Sequence, residues 1–345
     1  IEEADSLRLQ NKFDEAALLY QKLSDEGNAY AMWRLSSAYG NGDGVDFDQE
    51  KALSLLKEAA ANGCEEAQSD LAWTYMFGWF GMTKDEVKGK NMFETLIKKS
   101  ENSYIQSRYA YLLLSGSEDL YEKNPEKGLR ILKQVKDKNE PYYLWVMGIV
   151  YSIGVGKIDK DWNEAIDYYV KSFKKGRRYS SCFIASIFLD KGIKDIYNIK
   201  QGIEWLKKGV ESNSTDAMLS LSNIYLISED DVNYEEFKSY RNPEKGIELL
   251  KNAAIHGNGE AYWRLGNEYF YGNNVDKDDN KYFEYSKKAF ELGNATGANN
   301  LGAAYMDGTG CEKNINKAIN VWEKAVDLGS GYAAKNLYYL FRFGK

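Results

Sequence analysis

Histidine, proline and cysteine are scarce in this 345-residue chain, which has one His, three Pro and three Cys. The single histidine, His256, is the only candidate base for a Ser-His-Asp arrangement. It falls in Ala253-Ala254-Ile255-His256-Gly257, where a cation favours a helix C-terminus, so its expected role is structural. Cys64, Cys182 and Cys311 lie more than 100 residues apart. That spacing gives neither a disulfide framework nor a metal site. It favours a reducing, cytoplasmic setting over a periplasmic or secreted one, and the compartment otherwise stays open. No run of 18 apolar residues exists, so no membrane span is expected. An excess of positive charge is lacking too. A net charge of −7 argues against nucleic acid as the main partner, because binding phosphate needs a basic face.

What is present is a repeat. The pattern Ala-x-x-x-Leu-Gly-x-x-Tyr-x-x-Gly is followed by a Gly/Asp-rich turn and then by Lys-Ala-x-x-Trp/Leu-x-x-Lys-Ala-Ala-x-x-Gly. It is clearest at Ala67, Leu71, Ala72, Tyr75 and Gly78, and again at Leu301, Gly302, Tyr305, Gly308, Lys317, Ala318, Trp322, Lys324, Ala325 and Gly329. The tyrosine position works as a ruler. It falls at Tyr39, Tyr75, Leu113, Tyr151, Phe188, Tyr225, Tyr269, Tyr305 and Phe341, with steps of 36 to 44 residues. A period of this size marks stacked helical units. Ala31, Leu35 and Tyr39 at i, i+4 and i+8 put one face of a first helix, helix A, toward a core. Ala52, Leu55, Leu56, Ala59 and Ala60 do the same for a second, helix B. Helix B often ends in glycine, as at Gly63 and Gly329, where a left-handed residue stops a helix at little cost.

These residues resemble Sel1-like repeat proteins, relatives of the tetratricopeptide repeat, over roughly residues 29–345. The resemblance implies an all-α fold: a right-handed α/α superhelical solenoid of about eight helix-turn-helix repeats of 36–44 residues, with partial units at both ends. The expected organisation is a tetratricopeptide-like partial unit at 1–28, then repeats at 29–63, 64–102, 103–139, 140–176, 177–213, 214–258, 259–294 and 295–330, then a terminal helix at 331–345. The copies at 103–139 and 177–213 are degenerate, with Leu113 and Phe188 in place of the ruler tyrosine. Some Sel1-like families carry two cysteines in each repeat. This chain lacks those pairs, so their functions are not carried over.

Several local features look like chemistry and are read as repeat structure. Gly40 to Gly44 lacks the strand and the Gly-Lys-Ser/Thr ending of a phosphate loop. Asp46, Asp48 and Glu50 match no calcium-ligand spacing and are expected to supply negative charge to a helix N-terminus. The acidic insertion Glu229 to Glu236 and the basic run Lys174-Lys175-Gly176-Arg177-Arg178 are read as solvated segments, with a partner-specific edge or weak cation site as the alternative for the first and an anionic patch of a partner for the second. No catalytic residue, cofactor or metal is expected.

The resemblance to tetratricopeptide-type solenoids implies that helix A lines the inner surface. Helical spacing then places a largely aromatic stripe on that face, read as a solvent-facing groove, with rings packed between adjacent A helices and largely buried as the alternative for each residue: Tyr30, Trp33, Trp73, Met76, Tyr104, Tyr111, Tyr142, Trp145, Tyr179, Trp263 and Phe270. Tyr and Trp dominate binding hot spots. The expected function is therefore a non-enzymatic scaffold or adaptor that binds a protein or peptide in an aromatic-lined concave groove. Two further readings stay open: a sensing or targeting repeat domain of a larger protein, and a carbohydrate- or cell-wall-binding surface.

Overall fold

A computed structural model describes residues 1–116 and 120–344. Residues 117–119 of the third copy, and Lys345 of the expected terminal helix, lie outside the described residues. The fold is all-α, and it divides into two compact units, Ile1–Ala217 and Met218–Lys345. In the first unit lie α1 (Glu2–Leu9), α2 (Phe13–Asp25), α3 (Ala29–Asn41), α4 (Gln49–Ala61), α5 (Glu65–Phe77), α6 (Glu86–Lys99), α7 (Ser103–Ser115), α8 (Pro125–Gln134), α9 (Pro141–Ile153), α10 (Trp162–Lys174), α11 (Ser180–Leu189) and α12 (Ile199–Glu211). Helix α13 (Thr215–Tyr225) spans the division. The second unit contains α14 (Tyr234–Phe237), α15 (Pro243–Ile255), α16 (Gly259–Tyr271), α17 (Asp279–Glu291), α18 (Ala295–Asp307), α19 (Ile315–Asp327) and α20 (Gly331–Phe343).

Each repeat is a helix hairpin, as with α3 on α4, α9 on α10 and α18 on α19. The turn between A and B is held by one recurring pair of bonds. The Asp48 carboxylate accepts from the Lys51 backbone N–H at 2.9 Å and so caps α4. Asp85, Asn124, Asp161, Asn198, Asn242, Asp278 and Asn314 cap the later B helices in the same way. Each cap is favourable because it satisfies an N–H that the helix itself cannot. The backbone N–H of the same residue donates to the carbonyl of the ruler residue: Asp48 to Tyr39 at 3.0 Å, Asn124 to Leu113 at 2.7 Å, Asn198 to Phe188 at 2.8 Å. Because the acceptor is main chain, the bond does not depend on which side chain sits at the ruler. The degenerate third and fifth copies therefore close the same turn.

Small residues set the spacing between helices. A Cβ added at Gly302 would run into the Trp322 indole, and one at Gly148 into the Tyr169 ring. The close approach fills the groove with an aromatic, as dense packing requires. Trp322, Ala298, Ala318, Ala325 and Ala333 form the buried centre of the last repeats. Within the first unit, A helices also touch from repeat to repeat, α3 with α5, α5 with α7 and α7 with α9. Among the described residues, B helices make no comparable contact with one another. Closer spacing on the A side curves the stack and puts helix A on its inner face.

Helix B ends as expected at Gly63 (φ +88°), which occupies the left-handed region. In the fifth copy Asn213 does the same work at φ +56°, a position that asparagine tolerates better than most residues. The insertion after Tyr225 forms the short helix α14 and a following turn at Lys238–Tyr240. Its acidic residues Glu229, Asp230, Asp231 and Glu235 are exposed. The Asn242 N–H still reaches the Tyr225 carbonyl at 2.9 Å, so the longer turn closes like the others. Helix α20 leaves Tyr332 and Phe341 exposed.

Candidate functional site

In the first unit the curved stack comes back on itself. Arg178 Nη1 donates to Asp43 Oδ1 at 2.8 Å and to the Ser212 carbonyl at 3.2 Å. Asn213 Nδ2 reaches the same Asp43 oxygen at 3.4 Å. Gly176 lies so close to α1 that an added Cβ would sit 2.7 Å from Leu9 Cδ2. Residues about 135 positions apart thus form a seam, and the inner face becomes the wall of a chamber of about 1390 Å³.

Helix A delivers the rings to this wall in the order the spacing predicts. Trp33 lies 6.0 Å from Tyr104, Tyr104 5.6 Å from Tyr142, and Tyr142 5.2 Å from Trp145. Tyr111 joins Trp73 to Trp145, at 6.4 Å and 5.0 Å, and Tyr179 lies 6.4 Å from Trp145. Eight of the eleven stripe residues therefore line the chamber or the smaller pocket in its wall: Tyr30, Trp33, Trp73, Tyr104, Tyr111, Tyr142, Trp145 and Tyr179. Met76 is 0% exposed and packs in the core with Phe93 and Ile105. Phe270 leans on Tyr282 of the partner helix in its own hairpin, at 4.7 Å. Trp263 is half-buried in the second unit.

Of the two readings of the stripe, its tryptophans in the first unit follow the packed one. Trp33, Trp73 and Trp145 are 7%, 7% and 3% exposed. Rings from neighbouring A helices cover one another, and arginines cover their faces. The Arg34 guanidinium lies 4.4 Å from the Trp33 ring, Arg108 4.0 Å from Trp73, and Arg177 4.2 Å from Tyr142 and 4.3 Å from Trp145. Such cation–π contacts strengthen when water is excluded.

Two carboxylates tie the network together. Asp5 accepts from Tyr20 Oη at 2.6 Å and pairs with Arg34 Nε at 3.1 Å. Asp70 accepts from Trp33 Nε1 at 2.6 Å and from Tyr104 Oη at 2.8 Å, and it pairs with Arg108. Arg108 Nη1 also donates to Tyr104 Oη at 2.7 Å. Burial holds the Tyr104 phenol well above its usual range and pushes Tyr142 up to about 12. Both remain protonated at neutral pH. Burial also pushes the Cys64 and Cys182 thiols up to about 12. A neutral thiol is a poor nucleophile. Among the described residues, no three His, Cys, Asp or Glu residues cluster as a metal site, and no helix is long and apolar enough to cross a membrane.

Arg34, Arg108 and Asp70 were not singled out in the sequence, although a signal was there. The residue five before the ruler position is Arg34, Asp70 and then Arg108 in the first three copies: plus, minus, plus on one face of adjacent helices. The basic run at 174–178 also differs from a solvated segment, since Arg177 stacks inward and Arg178 closes the seam.

Stacked helix hairpins with a curved inner face define an α-solenoid of the tetratricopeptide-like class, a type used for protein interaction and generally without catalysis. The family model for the Sel1 repeat matches residues 29–64, 65–99, 104–135, 141–176, 181–214, 236–258, 259–294 and 295–330. The chain belongs to the Sel1 repeat family. A Sel1 repeat protein of Oxalobacter formigenes is similar in structure, at 20% identity over 94% of this chain and 89% of that one, with a TM-score of 0.53. A protective antigen of uropathogenic Escherichia coli with an SLR fold matches at 19% identity over 96% of this chain and 78% of that one, TM-score 0.32. An immunity protein of Pseudomonas aeruginosa matches at 16% identity over 66% of this chain and 82% of that one, TM-score 0.46. The likeness to the Oxalobacter protein concerns the fold alone. Comparison with curated proteins found no match.

Proposed function

We propose that this chain is a non-enzymatic interaction scaffold that holds a peptide segment of a partner protein in the chamber of its first unit. The observation that carries this reading is the chamber itself. Its volume of about 1390 Å³ exceeds the roughly 300–1,000 Å³ of typical small-molecule pockets. Its wall combines aromatic rings and arginines, the residue types that anchor protein interfaces. Sugar binding has less support, because Trp33, Trp73 and Trp145 are buried and carry guanidiniums on their faces rather than presenting open platforms.

The burial of these three tryptophans also decides how to test the idea. Replacing them with alanine would open cavities at about 3–5 kcal/mol each and confuse folding with binding. The rim residues are better. Trp79 and Tyr179 line the chamber and are 46% and 39% exposed. Peptides selected by display on the full chain are expected to bind Trp79→Ala and Tyr179→Ala about tenfold more weakly or worse, with unchanged circular dichroism. Failure to select any peptide, or equal binding by both variants, overturns the proposal.

A further inference from the structure

A pocket of about 310 Å³ opens in the chamber wall where α5, α7 and α9 face one another. Its sides include Trp73, Tyr111, Tyr142 and Trp145, and its charged residues are Arg108, Arg177 and Asp70. An aromatic pocket usually suggests a cation. Here the chain has already supplied the cations: Arg108 lies 4.0 Å from Trp73, and Arg177 lies 4.3 Å from Trp145. A further positive charge would meet two fixed guanidiniums at short range, where repulsion is large in a dry site.

What this wall lacks is an acceptor. Trp73 Nε1, Trp145 Nε1, Arg108 Nε and Arg177 Nε are buried without a hydrogen-bond partner among the described residues. Native structures leave few such groups unsatisfied. Asp70 cannot readily serve them, since it already accepts from Trp33, Tyr104 and Arg108. The lining itself holds two arginines and one aspartate, with Glu140 of the chamber wall acting on Arg177 from outside the pocket, so the buried N–H groups of Arg108 and the two indoles are what a further carboxylate would serve. The volume is at the small end of ligand pockets, suited to one side chain rather than a run of backbone. The rings offer apolar wall for a methylene stem.

We infer that this pocket takes the side-chain carboxylate of a Glu or Asp on the peptide held in the chamber. The inference rests on the chamber reading above and names what that peptide carries. The carboxylate would complete the pairing that Asp70 begins, with Arg177, half-buried at the mouth, as its entry contact.

The test titrates the full chain with N-acetyl-glutamate N-methylamide, with N-acetyl-glutamine N-methylamide as the neutral match, following the tryptophan indole N–H resonances. The glutamate probe is expected to shift the Trp73 and Trp145 signals saturably, and the glutamine probe to bind at least tenfold more weakly. Arg177→Met keeps the stem and removes the charge. It should weaken the glutamate probe about tenfold, the scale of a charged hydrogen bond, and leave circular dichroism unchanged. Equal response to both probes, or an Arg177→Met chain that binds glutamate as well as before, overturns the inference. So does N-acetylglycine binding more tightly than the glutamate probe, which would assign the pocket to a chain-terminal carboxylate. Neutral display peptides that depend on Trp79 and Tyr179, alongside an unresponsive glutamate probe, would leave the chamber reading standing and refute the carboxylate. Failure of the display alone would refute the chamber reading, while a saturable glutamate response would still support the pocket.

Discussion

The two units share one turn design but differ on the face of helix A. In both, a capping Asp or Asn starts helix B and its N–H reaches the ruler carbonyl, as Asp161 does with Tyr151 and Asn314 with Tyr305, at 2.9 and 2.8 Å. In the first unit the position five residues before the ruler carries Arg34, Asp70 and Arg108, which join into a largely buried network with rings stacked around it. In the second unit the same position carries Arg264, Asn300 and Asn336. There Asn300 bonds to Asn267 and Asn336 to Asn299, each at 3.0 Å. Amide pairs link helices without charge and without aromatic bulk. The difference teaches that the repeat fixes the stack, while one variable position on the inner face sets how neighbouring A helices are joined: through an Asp–Arg pair in the first unit, and in the second through amide pairs beside an Arg264 paired with Glu260 of its own helix.

The largest way to break this comparison is with alkali. Burial raises the Tyr104 and Tyr142 phenols above their usual range, Tyr142 to about 12. Unfolded tyrosine ionises near 10. The stability tied to these neutral phenols is therefore fully present below about pH 10 and is lost as pH rises through their raised folded values, about 12 for Tyr142. Phenolate absorbance should show a late-titrating class that coincides with loss of near-ultraviolet dichroism. Tyr142→Phe should move the midpoint upward. If all tyrosines titrate together near their usual value, the buried network is not as described.

Next comes the charge pair. Asp70→Ala leaves Arg108 buried without its carboxylate and is expected to cost about 3–5 kcal/mol in denaturant unfolding. Asn300→Ala removes an amide pair in the second unit and should cost only about 1 kcal/mol. Equal losses would erase the contrast between the two faces. The smallest effect sharpens the shared part. Asp161→Ala and Asn314→Ala remove equivalent caps and should each cost about 1 kcal/mol. A large difference between them would show that the turn design is not common to both units.

The fold was legible because its determinants are local and repeated. The ruler found Leu113 and Phe188 as substitutes for tyrosine, and the structure shows why they work: the bond they make is through the carbonyl. The stripe was legible for the same reason, since i, i+4 spacing puts Tyr104 and Arg108 on one face. Its burial was not. Whether Trp33 sees water depends on Tyr104, which belongs to another repeat, and on Arg34 folding over the ring. The seam between Asp43 and Arg178 was further still from view. It depends on how curvature accumulates over several hairpins, and no short stretch of sequence encodes that. Arg177 and Arg178 looked like a solvated turn because each charge was read alone.

The bond from each cap to its ruler carbonyl has one more effect. Between those two residues the chain is a loop pinned at both ends by main-chain atoms. The ninth residue after Tyr39 and the seventeenth after Tyr225 arrive at the same anchor. Insertions at this point need not shift any helix, so new segments can be spliced into the turn while the array keeps its register. For an engineer it is a grafting site, and for the lineage it is a place where an edge can be rebuilt without refolding the stack.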